Sequence, residues 1–297
     1  MAGPFKRTLT QTLYLAERGW QYLFGWRLYR IGRRDLVLDV GSGGHPFIRA
    51  DVLCDGFLFD NAERQRQEPV VADRPFVVAD AGQLPFRDGA FDFSHTSHLL
   101  EHLDAPEQHL QELQRISRRG VIITPAEAWE HLYPIDAHRW VVNDDGVTLA
   151  LREKPAPVYD PVLSEVFHHR LDRYGLQYFL GYFRHVFEVQ YRWNAQIRFT
   201  VERLPPGAGT IRRTAADRGS AQDDAQPKVT AKTSFKTAAS HVMRRICSAH
   251  YRLDLWRLLV CPVCHGELIR AADSVRCESC ARRYELYRND IPILRAG

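Results

Sequence analysis

Seven short runs of aliphatic, β-branched and aromatic residues punctuate the first two-thirds of the chain. They are Leu36–Val40, Asp51–Asp55, Phe76–Ala79, Phe91–His95, Val121–Thr124, Val186–Trp193 and Gln196–Val201. Each has the length and composition of a β-strand. Between them lie helical patterns; over Glu107–Arg118, Leu110, Leu113 and Ile116 recur among polar residues, as on a surface helix. A further helix is expected soon after Pro46. Strands separated by helices imply βαβ crossovers, hence an α/β class with a doubly wound, mostly parallel sheet. The last two runs are separated only by Asn194–Ala195, which reads as a hairpin with one antiparallel strand.

The periodicity then stops. Over residues 205–240 small and polar residues dominate, and Ile211, Val229 and Phe235 are the larger apolar exceptions. Such a segment buries too little surface to offset its ordering entropy and reads as a flexible linker. Its typical reach is roughly 30–36 Å, enough for the C-terminal region to dock back on the α/β region. Residues 241–297 carry a helical pattern over His241–Leu259 and then a compact tail with four cysteines. At the other end, residues 1–34 interleave Trp20, Tyr22, Phe24, Trp26 and Tyr29 with arginines and read as a helical arm. Domain boundaries are thus expected at 1–34, 35–204, 205–240 and 241–297.

Length and charge refine this picture. The 297 residues suit two domains at about 100–200 residues each. The net charge of +4 hides an arm that carries seven basic residues against Glu17, leaving the remainder slightly acidic. No run approaches the roughly 18 apolar residues of a membrane span, and no secretory leader is evident, so a cytoplasmic location is expected.

The most informative segment is Asp39-Val-Gly41-Ser42-Gly43-Gly-His45-Pro46, directly after the first strand. Glycines there let a ligand approach the main chain, at the sheet end where open parallel sheets form a ligand crevice. A dinucleotide loop would need a third glycine where Pro46 stands, and an acid beside a pyrophosphate would repel it. Asp39 instead favours a ligand with an ammonium or sulfonium charge. Further acids come in order: Asp55 ends the second strand, with Asp60 as the alternative, and Val77-Val-Ala-Asp80-Ala81 ends the third. Phe91-Asp-Phe-Ser-His95-Thr-Ser-His98 then supplies the fourth strand and its loop.

In these motifs the chain resembles the class I S-adenosylmethionine-dependent methyltransferases over residues 35–204. The resemblance implies a Rossmann-like sheet of seven strands. It implies that Asp39, Gly41, Ser42 and Gly43 wrap the methionine portion of the cofactor. Asp55 would accept hydrogen bonds from the ribose hydroxyls, and Asp80 with Ala81 would contact the adenine. His45 departs from the family pattern, since it replaces the usual third glycine of the loop.

Methyl transfer needs a positioned nucleophile, and a base where the acceptor must lose a proton. Histidines in the loops beyond the fourth and fifth strands are the candidates: His95, His98 and His138, with His102 and His131 of lesser weight. The Asn/Asp-Pro-Pro-Tyr motif of amide- and adenine-nitrogen methyltransferases is missing after the fourth strand. The stretch of about 60 residues from 125 to 184 exceeds an ordinary crossover and is rich in aromatic residues, as a lid over an acceptor would be.

Cys261-Pro-Val-Cys264 and Cys277-Glu-Ser-Cys280 form two Cys-x-x-Cys knuckles, suited to a structural Zn²⁺ with four sulfur ligands. A tail this short cannot build a sufficient core alone. With Tyr284 and Asn289–Leu294, it resembles the zinc-ribbon activator subunit of tRNA, rRNA and release-factor methyltransferases. That resemblance implies intramolecular docking on the catalytic sheet. The expectation is therefore a methyltransferase with a fused zinc ribbon, acting on a hydroxyl of a small molecule or glycan. Alternatives are methylation of tRNA or a translation factor, and an inactive cofactor-binding interaction protein.

Overall fold

Val37, Leu38 and Val40 are fully buried because β1 (Val37–Val40) lies in the middle of a sheet, with parallel neighbours on both edges. A strand so placed reads as a continuous apolar run. The computed structural model describes residues 16, 19–20, 22–58, 70–132, 135, 137–155, 166, 183–205 and 231–296. The chain divides into two compact units, one built from Gly32–Ile122, Arg192–Ile197 and Arg212–Gly297, the other from Met1–Ile31, Ile123–Tyr191 and Arg198–Ile211.

The first unit holds β1, β2 (Val52–Asp55), β3 (Phe76–Ala79) and β4 (Phe93–Ser97). It also holds helix α1 (Pro106–Ile116), which buries Leu110, Leu113 and Ile116. β2 and β4 flank β1, and β3 lies beyond β2, all parallel. With β5 (Arg119–Pro125) and β8 (Glu188–Asn194) beyond β4, this is a Rossmann-like order. The sheet has ten strands, not seven, because β10 (Leu268–Arg270), β11 (Ser274–Cys277), β12 (Arg283–Tyr287) and β13 (Ile291–Leu294) join its β3 edge. These four form an antiparallel ribbon, and β13 pairs parallel to β3 with Ile293 opposite Val78 and Leu294 opposite Ala79. The edge of β3 is thereby covered, which removes a row of open backbone donors and acceptors.

The helix expected after Pro46 is absent. The connection between β1 and β2 turns on itself, with the Ala50 amide donating to Phe47 O at 3.0 Å, and swings Arg49 inward. Arg49 is fully buried, donating to Asp51 Oδ2 at 2.9 Å and to the carbonyls of Gly32 and Asp35 at 2.8 and 3.0 Å. Helical cover at this place comes from a distant part of the chain. Helix α4 (Ala231–Cys247) begins inside the segment read as linker and ends well before Leu259. Ser240, Arg244 and Ser248, spaced four apart, are buried. The Ser248 hydroxyl donates to Asp51 Oδ1, and Arg74 donates to Ser240 Oγ.

The second unit contains a three-stranded sheet in the order β6 (Trp140–Asp144), β7 (Thr148–Glu153), β9 (Arg198–Glu202), with two short helices, α2 (Glu127–Leu132) and α3 (Arg184–Phe187). The hairpin expected from 186–201 does not form. β9 pairs parallel with β7, while β8 belongs to the large sheet. Ala195 adopts φ 62° and its amide is taken by Arg118 O at 2.8 Å, so the turn serves the sheet and not a two-strand ladder. Much of the proposed lid, including Tyr133, Tyr159, Phe167, Tyr174, Tyr178, Phe179 and Tyr182, lies outside the described residues, as do Asp60 and most of the arm.

Candidate functional site

β1, β2, β3 and β4 end side by side, and their carboxyl ends bring together the loop residues picked out in the sequence. Gly41 has φ 74°, and a Cβ there would sit 3.0 Å from the Leu99 side chain, so a larger residue would strain the backbone and press on Leu99. Its amide is held by Cys54 O at 2.8 Å, while Gly43 N donates to Asp55 Oδ2 at 2.9 Å. The glycine loop and Asp55 are thus a single bonded structure. Asp55 Oδ1 accepts the Phe57 amide at 3.0 Å, and Asp80 Oδ1 accepts the Gly82 amide at 2.8 Å. Ser42, in the glycine loop, buries a hydroxyl that has no hydrogen-bond partner among the described residues.

The crevice is electronegative. Burial pushes the Cys54 thiol well above its ordinary range, and Asp55, Asp80 and Asp39 push it further. Three carboxylates converging on one thiol make this the end of the sheet that attracts a cation.

His95 lies inside β4, opposite Asp39 in register, and not in the loop beyond the strand. The strand starts two residues later than the pattern suggested. His95 Nδ1 is 2.7 Å from Asp39 Oδ1, and the ring stacks on Phe47 with centroids 4.3 Å apart and planes 5° from parallel. Asp39 Oδ2 accepts the Phe47 amide at 2.7 Å. Asp39 therefore fixes both the loop and the imidazole, leaving Nε2 as the nitrogen through which His95 could exchange a proton. His98 stands just past the strand with φ 53°, half-exposed, its Nδ1 3.4 Å from the Glu101 carboxylate. His102 closes a short 3-10 turn, Leu100–His102.

His138 belongs to the other unit. There its Nδ1 bonds Glu130 Oε1, and Lys154 donates to Glu130 Oε2 at 2.7 Å and to Ile135 O at 2.9 Å. Burial alone would raise the Glu130 carboxyl, but His138 and Lys154 hold it below its usual range. His131 is exposed, 3.4 Å from Glu127.

His109 was not singled out in the sequence. It is fully buried on α1, and its Nδ1 donates to Ala81 O at 3.0 Å, fixing the turn after β3. Burial lowers its pKa to about 4, against the opposing pull of that carbonyl and of Glu112 and Asp80. Its neutral state is therefore part of the fold. Phe47 and Leu99 were missed as well, because no spacing rule marks a residue that wedges a loop.

In the ribbon, the sulfurs of Cys261, Cys264, Cys277 and Cys280 all lie within 4.8 Å of one another. Cys261 and Cys280 are 3.7 Å apart, Cys264 and Cys277 3.5 Å. Tetrahedral bonds of about 2.3 Å to Zn²⁺ need edges of about 3.8 Å, so the four positions fit that ion. Gly266 is required beside them, because a Cβ would collide with Ser279 Oγ and fall 3.2 Å from Cys277 Sγ. The Gly266 amide favours the Cys264 thiolate, yet crowding by Cys277, burial, Cys280 and Cys261 push that thiol up to about 12. Four sulfurs this close cannot all ionise without a cation among them.

Residues 38–124 match the methyltransferase domain family. Over those residues the chain is similar to a methyltransferase domain. It is similar to the demethylmenaquinone methyltransferase of Paenarthrobacter aurescens, 30% identical over 116 residues that make up 35% of this chain and 45% of that protein. It is also similar to the ajmaline N-methyltransferase of Rauvolfia serpentina, 30% identical over 98 residues, 29% of this chain and 34% of that one. The chain thus spans less than half the length of these relatives. Among solved structures, the complex of the Haloferax volcanii Trm112 methyltransferase activator with a methyltransferase is 15% identical, covering 63% of this chain and 95% of that one at a TM-score of 0.34. The methyltransferase domain's match begins within β1 and ends in β5, and so contains the glycine loop, Asp55, Asp80 and His95. Among the described residues no helix is long and apolar enough to cross a membrane.

Proposed function

We propose that the chain is an S-adenosylmethionine-dependent methyltransferase acting on a hydroxyl of a small molecule or glycan. The observation that carries the reading is the electronegative crevice, where a glycine loop bonded to Asp55 adjoins a histidine held by Asp39. The fit to the cofactor rests on the buried, unsatisfied Ser42 hydroxyl in the loop and on the acids Asp55 and Asp80 that end the neighbouring strands. When bound, S-adenosylmethionine supplies a methyl carbon made electrophilic by its sulfonium. Every other task falls to the chain. Gly41, Ser42 and Gly43 would hold the methionine portion, Asp55 the ribose, and Asp80 with Ala81 the adenine.

His95 would take the acceptor's proton at Nε2, while Asp39 fixes its tautomer through Nδ1 and stabilises the imidazolium that results. His98, just past β4, is the alternative base. The names of the relatives, for demethylmenaquinone and ajmaline, favour a small acceptor over a macromolecule. A structural Zn²⁺ on Cys261, Cys264, Cys277 and Cys280 would fold the ribbon that covers β3.

Two features of the chain favour a second acceptor class. The ribbon extends the sheet, and the arm over residues 1–34 carries a charge of +6 by count, which suits tRNA or a translation factor. Turnover of methyl-labelled cofactor with cell extract separated into metabolite, RNA and protein fractions tests both. Label in the metabolite fraction supports the first reading, and salt-sensitive label in RNA supports the second. No label in any fraction, with the demethylated cofactor still bound, would leave the inactive interaction protein.

A further inference from the structure

The last residues of the ribbon do not stop at the sheet edge. Leu294 ends β13 beside Ala79, one residue before Asp80. Arg295 comes next and reaches across to the loop after β2. Its guanidinium donates to Gly56 O and lies over the Phe57 ring, 4.9 Å from the centroid. Gly56 and Phe57 directly follow Asp55, and the Phe57 amide is the donor that holds Asp55 Oδ1 at 3.0 Å. The same carboxylate holds the glycine loop through Gly43. One exposed arginine from the far end of the chain therefore grips the segment that orients Asp55, and it leaves the sheet next to Asp80.

The other end of this link leads to the cysteine cluster. Arg282 lies just past the second knuckle, and its carbonyl accepts the Cys277 amide at 2.8 Å. The Arg282 side chain donates to Ala296 O, adjacent to Arg295. A continuous set of backbone and guanidinium contacts thus joins the knuckle at Cys277 to the loop after Asp55. These contacts lie beside the strand pairing of β13 with β3, which Arg295 directly follows.

We propose that Arg295 is a positioning residue through which the ribbon orders the nucleoside side of the cofactor crevice. The inference rests on the reading of Asp55 and Asp80 as nucleoside contacts. It assigns to the ribbon a specific task in the site, beyond covering an edge. Without Arg295, the Gly56–Phe57 backbone keeps, among the described residues, its bond to Asp55, and ordering it falls to the ligand as it binds. The loss therefore appears in affinity for the nucleoside portion and not in the fold.

Calorimetry on the full chain with S-adenosylhomocysteine, and separately with adenosine, tests this. Arg295→Ala should weaken both by about fivefold to tenfold, the scale of one lost charge-assisted hydrogen bond plus loop ordering. Arg295→Lys, which can still reach the Gly56 carbonyl, should recover part of that loss. Arg288→Ala, a ribbon arginine that lies over Tyr287, should leave both affinities unchanged. Thermal unfolding of the three variants should match the parent, and circular dichroism would identify a variant that misfolds. Arg282→Ala provides the second route and should weaken binding in the same direction with its zinc content intact. If the parent binds S-adenosylhomocysteine and both Arg295→Ala and Arg282→Ala bind it equally well, the positioning role is wrong while the cofactor reading stands. If the parent binds neither ligand, both fall together.

Discussion

Asp39 and His95 face each other across adjacent parallel strands, carboxylate oxygen to Nδ1 at 2.7 Å, and the second oxygen of Asp39 holds the Phe47 amide whose ring covers the imidazole. The loop that would embrace the methyl donor and the base that would deprotonate the acceptor are therefore oriented by one carboxylate. Replacing either partner should have different consequences. His95→Ala removes only the base, so turnover with the active extract fraction should fall about 100-fold or more. Affinity for S-adenosylhomocysteine should stay within about twofold, since the loop bond to Phe47 survives. Asp39→Asn should lower both, because the amide can neither stabilise an imidazolium nor serve the loop equally well. Full turnover in His95→Ala would exclude this histidine and move attention to His98.

The glycine loop makes a steric prediction. A methyl group at position 41 would meet Leu99 at 3.0 Å on a backbone with φ 74°. Gly41→Ala should reduce affinity for S-adenosylhomocysteine by at least about tenfold. Pairing it with Leu99→Ala relieves the contact but not the backbone strain, so recovery should be partial. Complete recovery in the double variant would show that space alone, and not φ, governs the loop.

How much of this could be read from residues alone depends on the range of the forces involved. β1 to β3 were legible because burial on both faces leaves long apolar runs, and the loop chemistry was legible because glycine and acid spacing is local. β4 was placed two residues early, since Phe91 and Phe93 are equally apolar. That shift matters, because it moves His95 from the end of the strand to its middle, in register with Asp39. The missing helix after Pro46 is a tertiary effect: Arg49 finds its carbonyl and carboxylate partners inside the fold, and α4, some 180 residues later in sequence, supplies the cover. Likewise nothing local marks Ile293 and Leu294 as partners of Val78 and Ala79, so a ten-stranded sheet could not be anticipated. The cysteine spacing was the opposite case, with four ligands legible from sequence alone.

The buried polar hub at Asp51 should be expensive to disturb. Its carboxylate serves Arg49, the Val37 amide at 3.1 Å and the Ser248 hydroxyl, with both Arg49 and Asp51 excluded from water. Asp51→Leu strands the Arg49 charge and should cost about 3–5 kcal/mol in urea unfolding. Ser248→Ala loses two hydrogen bonds just past α4, the one it donates to Asp51 and the one it accepts from the His250 amide, and should cost about 1–3 kcal/mol. If Asp51→Leu unfolds at the parent's urea midpoint, the hub does not hold the fold.

Metal content offers an independent check on the ribbon. Elemental analysis of the purified chain should give one zinc per molecule, and Cys264→Ser should reduce it strongly. Because the ribbon is too small to fold without its ion, chelation should lower the midpoint of thermal unfolding by roughly 5 °C or more. It should also expose the β3 edge, seen as increased hydrogen exchange at Val78 and Ala79. Unchanged exchange there after complete zinc removal would mean that the strand pairing does not depend on the metal.

His109 gives the chain a pH dependence whose sign is set by its burial. Its folded-state pKa of about 4 lies below the ordinary value of 6.5, so the unfolded chain binds the proton more readily between those limits. Stability is then fully present above about pH 6.5, declines as pH falls through that window, and levels off below about 4, a total on the order of 3 kcal/mol. His109→Asn keeps a donor for Ala81 O but cannot titrate. Urea unfolding of the two proteins between pH 4 and 7 should show the parent losing stability on acidification faster than the variant, with the curves converging toward low pH. Parallel curves would show that His109 binds its proton equally readily in the folded and unfolded chain, so that burial does not hold it neutral.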